Sequence, residues 1–261
     1  MPSASVLVTV RNEEANVGRL LESLVGQAEL KEVIVVDAAS SDGTVGIVES
    51  YSGRLPLTLL SRTCRRGEGR NLAAKRATGD LLAFIDGDCV ASPAWLGALV
   101  NAWDGRPGRI VAGDTRLVGR KAFAGMHRVE LPHHGQDTTW PSCNLAYPRA
   151  LFESLGGFDP SFVTAEDIDL NFRAVSAGAT IVHAPDAVVE ASARGRVGDF
   201  LRQGYWNGYG RKQLTRKHGR LWRQYSLGDM LRRQAGSFWG AVRMGVGTLG
   251  YLAAKFGRRP P

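Results

Sequence analysis

Short apolar runs alternate along the first half of the chain with segments of helical spacing. SVLVTV is a β-branched run. NVGRLLESLVGQ then places Val17, Leu20, Leu21 and Leu24 on one helical face, and EVIVVD is again continuously apolar. TVGIVESYS, LPLTLLS, GRNLAAKRAT and DLLAFID continue the alternation. Continuous rather than alternating apolar strands, each followed by a helix, predict an α/β fold with a mostly parallel sheet covered by helices on both faces. After Ala112 the pattern loosens. GRPGRIVAGDTRLVG reads as loop and strand, and HHGQDTTWPSCNLAYPRALFESLGGF as loop then short helix. AEDIDLNFRAVSAGA reads as a helix ended by Gly178, and TIVHAPDAVVEAS as a strand pair folded about APDA.

In open α/β sheets, ligands bind beyond the carboxyl ends of the strands. Polar residues come directly after each predicted strand here: Arg11, Asn12 and Glu13 after the first, Asp37 after the second, Asp86 and Asp88 after LLAFI. Two carboxylates two residues apart can share a hard divalent cation whose remaining positions are filled by phosphate oxygens. D-x-D alone is a weak signal, because Asp-Gly also ends strands as a plain turn.

Composition changes this picture at one point. The 261 residues are 44% apolar and 22% charged, which excludes collagen-like and disordered classes. Cys64, Cys89 and Cys143 are an odd number without C-x-x-C spacing, which fits a reducing compartment. MPSASVLVTVRNEE lacks the pattern of a secretory signal, so a cytoplasmic location is expected. The net charge of +8, however, is unevenly distributed. Residues 1–193 hold 18 Lys/Arg against 23 Asp/Glu, whereas residues 194–261 hold 15 against 2. That tail mixes Arg and Lys with Trp and Tyr, a composition suited to an anionic membrane surface. Ala235 to Phe256 is nearly apolar, but Arg243, Lys255 and repeated glycines argue for an interfacial helix pair rather than a span of about 20 apolar residues, the remaining alternative being a packing or oligomer interface.

VTVRNEEANVGRLLESL, VVDAASSDGT, RRGEGRNLAAKRATGDLLAFIDGDC and GGFDPSFVTAEDIDLNFRAVSAGA together resemble, in order and spacing, the signatures of family 2 glycosyltransferases. The resemblance covers about residues 4–191. It implies the GT-A fold, a Rossmann-like mostly parallel sheet, with a catalytic domain over 1–193. Residues 1–112 would form the nucleotide-sugar half, 113–193 the acceptor half, and 194–261 a basic helical appendage.

The resemblance also implies roles. Asn12 and Glu13 would meet the nucleoside, and Asp37 its base or ribose. Arg70 would lie near the base or diphosphate. Asp86 and Asp88 would hold Mg²⁺ or Mn²⁺, Asp88 more directly. Glu166 and Asp167 match an acidic pair on the acceptor side, with Asp167 the general base of an inverting transfer from a nucleotide-sugar donor to a lipid-linked or glycan acceptor. Many relatives carry a His where this chain has Glu190; either Glu190 replaces it as a metal ligand or that contact is missing. Arg211 or Lys212 falls where relatives close over the diphosphate, and Asn144 where they line the acceptor side.

Each residue also has an ordinary alternative. Asn12 can cap a helix, Arg70 and Arg211 can lie on solvated helix faces, and acids in a first helical turn, Asp169 above all, favour the helix dipole. His183 reads as a core residue. His133 and His134 sit in a loop that could approach the acceptor, and Trp140 is either a sugar platform or a packed aromatic. Two rival classes are a nucleotide- or nucleic-acid-binding module gripping phosphates with its basic tail and a sugar-nucleotide pyrophosphorylase. The acidic pair after GGFD argues against the latter, and no nucleic-acid partner is expected.

Overall fold

The computed structural model describes residues 2–118, 130–192, 197–219, 221 and 238–257. The remaining parts of the basic tail, 194–196, 220, 222–237 and 258–261, lie outside the described residues.

The first four strands are β1 (Ala4–Val10), β2 (Leu30–Asp37), β3 (Leu57–Ser61) and β4 (Leu81–Asp86). They are joined by α1 (Val17–Leu24), α2 (Thr44–Ser50) and α3 (Arg66–Arg76). Strand β5 (Cys89–Ala91), helix α4 (Trp95–Trp103) and strand β6 (Arg109–Val118) come next. A two-residue pair, β7 (Pro132–His133) and β8 (Gln136–Asp137), precedes β9 (Asn144–Pro148) and α5 (Arg149–Ser154). Then come α6 (Glu166–Ser176), β10 (Thr180–Ser192) and two C-terminal helices, α7 (Val197–His218) and α8 (Phe238–Lys255).

The eight-stranded sheet has the order β3-β2-β1-β4-β9-β6-β10-β5. Its first four strands are parallel, as the continuous apolar runs predict. The other half is mixed: β9 runs antiparallel to both β4 and β6, and β5 antiparallel to β10. Alternate residues of each strand feed two cores. Val6, Val8 and Val10 pack with Leu20, Leu24 and Trp95 on one face, while Leu7, Leu82 and Phe84 pack with Ala73, Phe152 and Leu170 on the other. Burial on both faces is why these strands read as unbroken apolar runs.

Two elements differ from the expectation. NLAYP is a fully buried strand rather than loop, hidden in sequence by its brevity and the flanking prolines. TIVHAPDAVVEAS is one strand, not a hairpin; its register against β6 shifts between Ala184 and Val188, so Pro185, Asp186 and Ala187 form a bulge and not a turn.

Candidate active site

The carboxyl ends of β1, β2 and β4 meet at one edge, held there by side chains of the loops beyond them. Asn12, in the left-handed region at φ 54°, receives Ser41 N–H on Oδ1 at 2.8 Å and donates its own N–H to Ser40 Oγ at 2.9 Å. Asp37, 3% exposed, accepts Ser40 N–H at 3.2 Å on both oxygens. These two residues thus brace the β1 and β2 loops against each other. Glu13 accepts Asn16 Nδ2 at 2.9 Å, and its N–H donates to Thr44 Oγ1 at 2.8 Å. Burial raises the Glu13 pKa against the pull of the Asn16 bond, and Asp88, Asp86 and Asp42 add to the rise. A Cβ on Gly87 would lie 2.8 Å from Val10 Cγ1 and 3.2 Å from Glu13 Cγ. Gly87 therefore lets the D-G-D turn close on the end of β1.

Helix α3 is pressed onto β1 by its glycines. A Cβ at Gly69 would come within 2.7 Å of Thr9 Cγ2, and one at Gly67 within 3.3 Å of Phe158 and 3.5 Å of Glu166. This proximity delivers Arg70, 2% exposed, into the space between the two acidic motifs. Its Nη2 donates to Asp86 Oδ1 at 2.6 Å and its Nη1 to Glu166 Oε1 at 2.8 Å, with the guanidinium carbon 5.5 Å from the Phe158 ring centroid. Arg70 is therefore a buried bridge between the D-x-D turn and the acidic pair of α6. Burial raises the Glu166 pKa, with Asp167 adding to the rise and Arg70 and Arg66 opposing it.

Arg66, one helical turn before Arg70, has no role in the sequence reading. Its side chain is exposed, and its guanidinium is held more firmly charged than usual by the nearby carboxylates, Asp86 first and then Glu166, Asp167 and Asp88. One cation thus senses all four carboxylates. The i, i+4 relation to Arg70 is the signal that could have found it.

Three acids begin α6, and they face different ways. Glu166 turns to Arg70. Asp169, 0% exposed, accepts Arg173 Nε at 2.9 Å, Lys217 Nζ at 2.8 Å and His218 Nε2 at 2.7 Å. Asp167 is half-buried; its Oδ2 accepts the N–H and Oγ of Ser142 at 3.2 and 3.3 Å, and its Oδ1 accepts Ile168 N–H at 2.9 Å. Ser142, just before β9, carries no signal in the sequence because that strand reads as loop.

Asp86 lies at the end of β4 with 27% of its side chain exposed, and Asp88 is half-buried, its Oδ1 3.7 Å from Cys89 Sγ. Glu190 is exposed on β10 opposite Val90 and Arg116. Among the described residues no group of three or more His, Cys, Asp or Glu side chains is placed to hold a metal ion. The two aspartates fit the other kind of divalent site, in which one or two carboxylates share the ion with substrate phosphates. The charges agree: Asp86, Asp88, Glu166 and Asp167 outnumber Arg66 and Arg70, so a diphosphate entering here needs added positive charge.

Asn144, 1% exposed, commits its amide to Trp95 Nε1 and to the carbonyls of Asp114 and Ala187, at 2.9 to 3.0 Å. It braces α4, β6 and β10. His183 is exposed and stacks on Trp140 at 5.0 Å, so it is not a core residue; β10 turns it outward ahead of the bulge. His133 stacks on Phe172 at 3.9 Å and meets Ser176 Oγ at 2.8 Å, at the end of α6 away from Asp167. Trp140 is half-buried and packs against the core beneath α6. Lys212 lies 5.3 Å from the Tyr251 ring, whereas Arg211 is half-buried beside Gly210.

Helix α7 clasps the segment that leads into α6. A Cβ on Gly210 would lie 2.9 Å from both Ala165 Cβ and Thr164 Cγ2. Gln213 receives Val163 N–H at 3.2 Å and donates to the Ser161 carbonyl at 3.1 Å, and Lys217 reaches Asp159 at 2.6 Å. Although burial opposes its charge, Asp159 is brought down to about 2 by bonds from Lys217 and Ser161. A depressed carboxylate contributes stability above its ordinary pKa of 3.8 and loses it as pH falls through about 2. Between those values wild-type protein should therefore lose denaturant stability more steeply than Asp159→Asn; equal slopes in the two proteins would exclude this pair as a pH-dependent clasp.

A family model described as glycosyl transferase family 2 matches residues 5–161. Among curated proteins, the chain is 27% identical over 227 residues to glycosyltransferase AglE of Haloferax volcanii, covering 82% of this chain and 74% of that one. It is 26% identical over 223 residues to the pre-mycofactocin glycosyltransferase of Mycobacterium tuberculosis, covering 78% of this chain but 46% of that one. Among solved structures, TarS of S. aureus in complex with UDP-GlcNAc superposes with a TM-score of 0.63 at 21% identity, over 97% of this chain and 81% of that one. The mannosyltransferase PcManGT of Pyrobaculum calidifontis, in complex with GDP-Man and Mn²⁺, gives 0.67 at 22% identity, over 100% and 76%.

Proposed function

We propose that this chain, which belongs to glycosyl transferase family 2, transfers a sugar from a nucleotide-diphosphate sugar to a hydroxyl of a lipid-linked or glycan acceptor, with inversion at the anomeric carbon. The observation that carries the reading is the placement of Asp167: half-buried, fixed by Ser142, and next in sequence to Glu166, which Arg70 ties to Asp86. Family membership supersedes the binding-module and pyrophosphorylase readings. UDP-GlcNAc on TarS and GDP-Man on PcManGT support a nucleotide-sugar donor, and the Mn²⁺ bound with GDP-Man on PcManGT supports metal assistance.

The Asp37–Asn12 brace forms the floor on which the nucleoside rests, and Glu13 closes the side nearest the D-G-D turn. Asp88 would hold a divalent cation, shared by Asp86, whose position Arg70 fixes through Oδ1. The ion supplies positive charge to the diphosphate leaving group. Arg66 directs its charge at the same carboxylates and offsets the negative field that a diphosphate meets on entry. Asp167 takes the acceptor hydroxyl proton on a carboxylate oxygen while the acceptor oxygen bonds to the anomeric carbon and the bond to the diphosphate breaks. Ser142 keeps that carboxylate aimed, so little orientation remains to be found when the acceptor arrives. Because the base approaches from the acceptor side and the leaving group departs on the other, a single displacement inverts the anomeric centre.

Purified protein with Mg²⁺ or Mn²⁺ should release nucleoside diphosphate from at least one UDP- or GDP-sugar, faster with an acceptor and at least tenfold more slowly in EDTA. The anomeric proton coupling of the product should report inversion. Absence of release across a donor and acceptor panel would overturn the reading, and a product of retained configuration would remove the single-displacement step.

A further inference from the structure

Helix α8 turns an apolar stripe outward. Leu249, Leu252 and Phe256, at i, i+3 and i+7, are 61%, 39% and 71% exposed. With Tyr205 and Ala253 they line a shallow groove of about 400 Å³ between α8 and α7. The opposite side of α8 is already used: a Cβ on Gly208 would overlap the Gly247 carbonyl, and one on Gly250 the Tyr205 carbonyl, so the two helices meet backbone to backbone on their glycines. The stripe is therefore left over after the helices have paired.

Its rim is cationic. Lys255 Nζ sits 5.7 Å from the Phe256 ring, and Arg216 Nη2 donates to the Lys255 carbonyl at 3.0 Å. Residues 197–219 and 238–257 carry seven Lys/Arg against the single acid Asp199. No helix among the described residues is long and apolar enough to cross a membrane. An apolar stripe flanked by cations, on a helix that does not span, is the pattern of an element lying in a lipid–water interface.

We propose that the α7–α8 pair is a docking face for an anionic lipid bilayer, with Leu249, Leu252 and Phe256 entering the acyl boundary and Lys255 and Arg216 meeting lipid phosphates. The face is coupled to the site by α7 itself. Tyr205 in the groove precedes Gly210 by five residues, about 7.5 Å of helix rise, and Gly210 abuts the Thr164–Ala165 turn from which Asp167 starts. Resting on the transfer chemistry proposed above, this connection would link a docked bilayer through α7 to the turn that carries the base.

The test is co-sedimentation of the full chain with phosphatidylcholine vesicles with and without phosphatidylglycerol. Binding should be at least tenfold tighter to the anionic vesicles, and Leu249→Ser/Phe256→Ser should weaken it at least tenfold while leaving near-UV circular dichroism unchanged. Lys255→Gln, which leaves the apolar stripe intact, should weaken it by about fivefold, the effect of one interfacial cation. Wild-type-like binding by the double variant would overturn the proposal. So would a vesicle-independent dimer that the same double variant dissolves, since a second copy would then cover the stripe. Because the readout needs no turnover, a chain that transfers sugar in solution yet ignores vesicles defeats the docking face alone and leaves the transfer chemistry standing.

Discussion

Asp167→Asn is expected to lower turnover by about 10³-fold, within the 10² to 10⁴ range of general-base contributions, while nucleotide binding stays within about twofold of wild type. The amide has the shape of the carboxylate and can still accept the Ser142 N–H through its oxygen, so the turn before α6 and the Glu166–Arg70–Asp86 bridge keep their form. What it loses is the ability to carry away the acceptor proton. In the proposed reading donor binding rests on Asp88, Asp37 and Asn12, which lie at or just beyond the carboxyl ends of β4, β2 and β1, whereas Asp167 is held by Ser142 on the other side of the bridge. The measurement is steady-state transfer beside calorimetric titration of the nucleoside diphosphate with metal. Retained binding with lost transfer assigns the base. Unchanged transfer would remove Asp167 from that role and point to an acceptor that arrives already ionised, such as a phosphate, for which no base is required.

That expectation rests on parts of the site that differ in how legibly the sequence displays them. The edge at the strand ends is readable because strand periodicity places residues there: Asn12, Asp37 and Asp86 come after their apolar runs, and the runs themselves are fixed by burial on both faces. Side-chain direction is not readable. Arg70 sits in a polar helix with a weak apolar stripe, and only the closeness of Gly67 and Gly69 to Phe158, Glu166 and Thr9 turns its guanidinium inward. Glu166, Asp167 and Asp169 are equivalent as first-turn acids, yet their partners come from three distant segments, α3, the loop before β9, and α7. A local pattern cannot separate them. The basic tail is visible as a charge asymmetry, but the engagement of Lys217 and His218 by Asp169, which leaves Arg216 and Lys255 at an apolar rim, depends on how α7 packs.

The same long-range wiring makes Arg70 the most exacting test of the site's construction. Arg70→Met should destabilise the protein by about 3–5 kcal/mol, because it leaves the carboxylates of Asp86 and Glu166 without their buried cation. For a chain of this size that corresponds to a fall in Tm of roughly 10 °C. Donor affinity should fall as well, since Asp86 can then swing from the end of β4. Arg70→Lys keeps the charge but not the fork: one ammonium must choose between oxygens that the guanidinium holds at 2.6 and 2.8 Å through separate nitrogens. It should therefore recover part of the stability and little of the affinity. Glu166→Gln added to Arg70→Met removes one of the two stranded charges, and its cost should be smaller than the sum of the single changes. Thermal unfolding with titration of nucleoside diphosphate and Mn²⁺ reads both quantities. A lysine variant equal to wild type in both would mean that a point charge suffices and that the two-pronged bridge sets neither the position of the D-x-D turn nor that of the base helix. Additive losses in the double variant would mean that Arg70 and Glu166 act separately, and the link between the D-x-D turn and the acidic pair of α6 would have to be sought at Arg66, the other cation influenced by both acidic motifs.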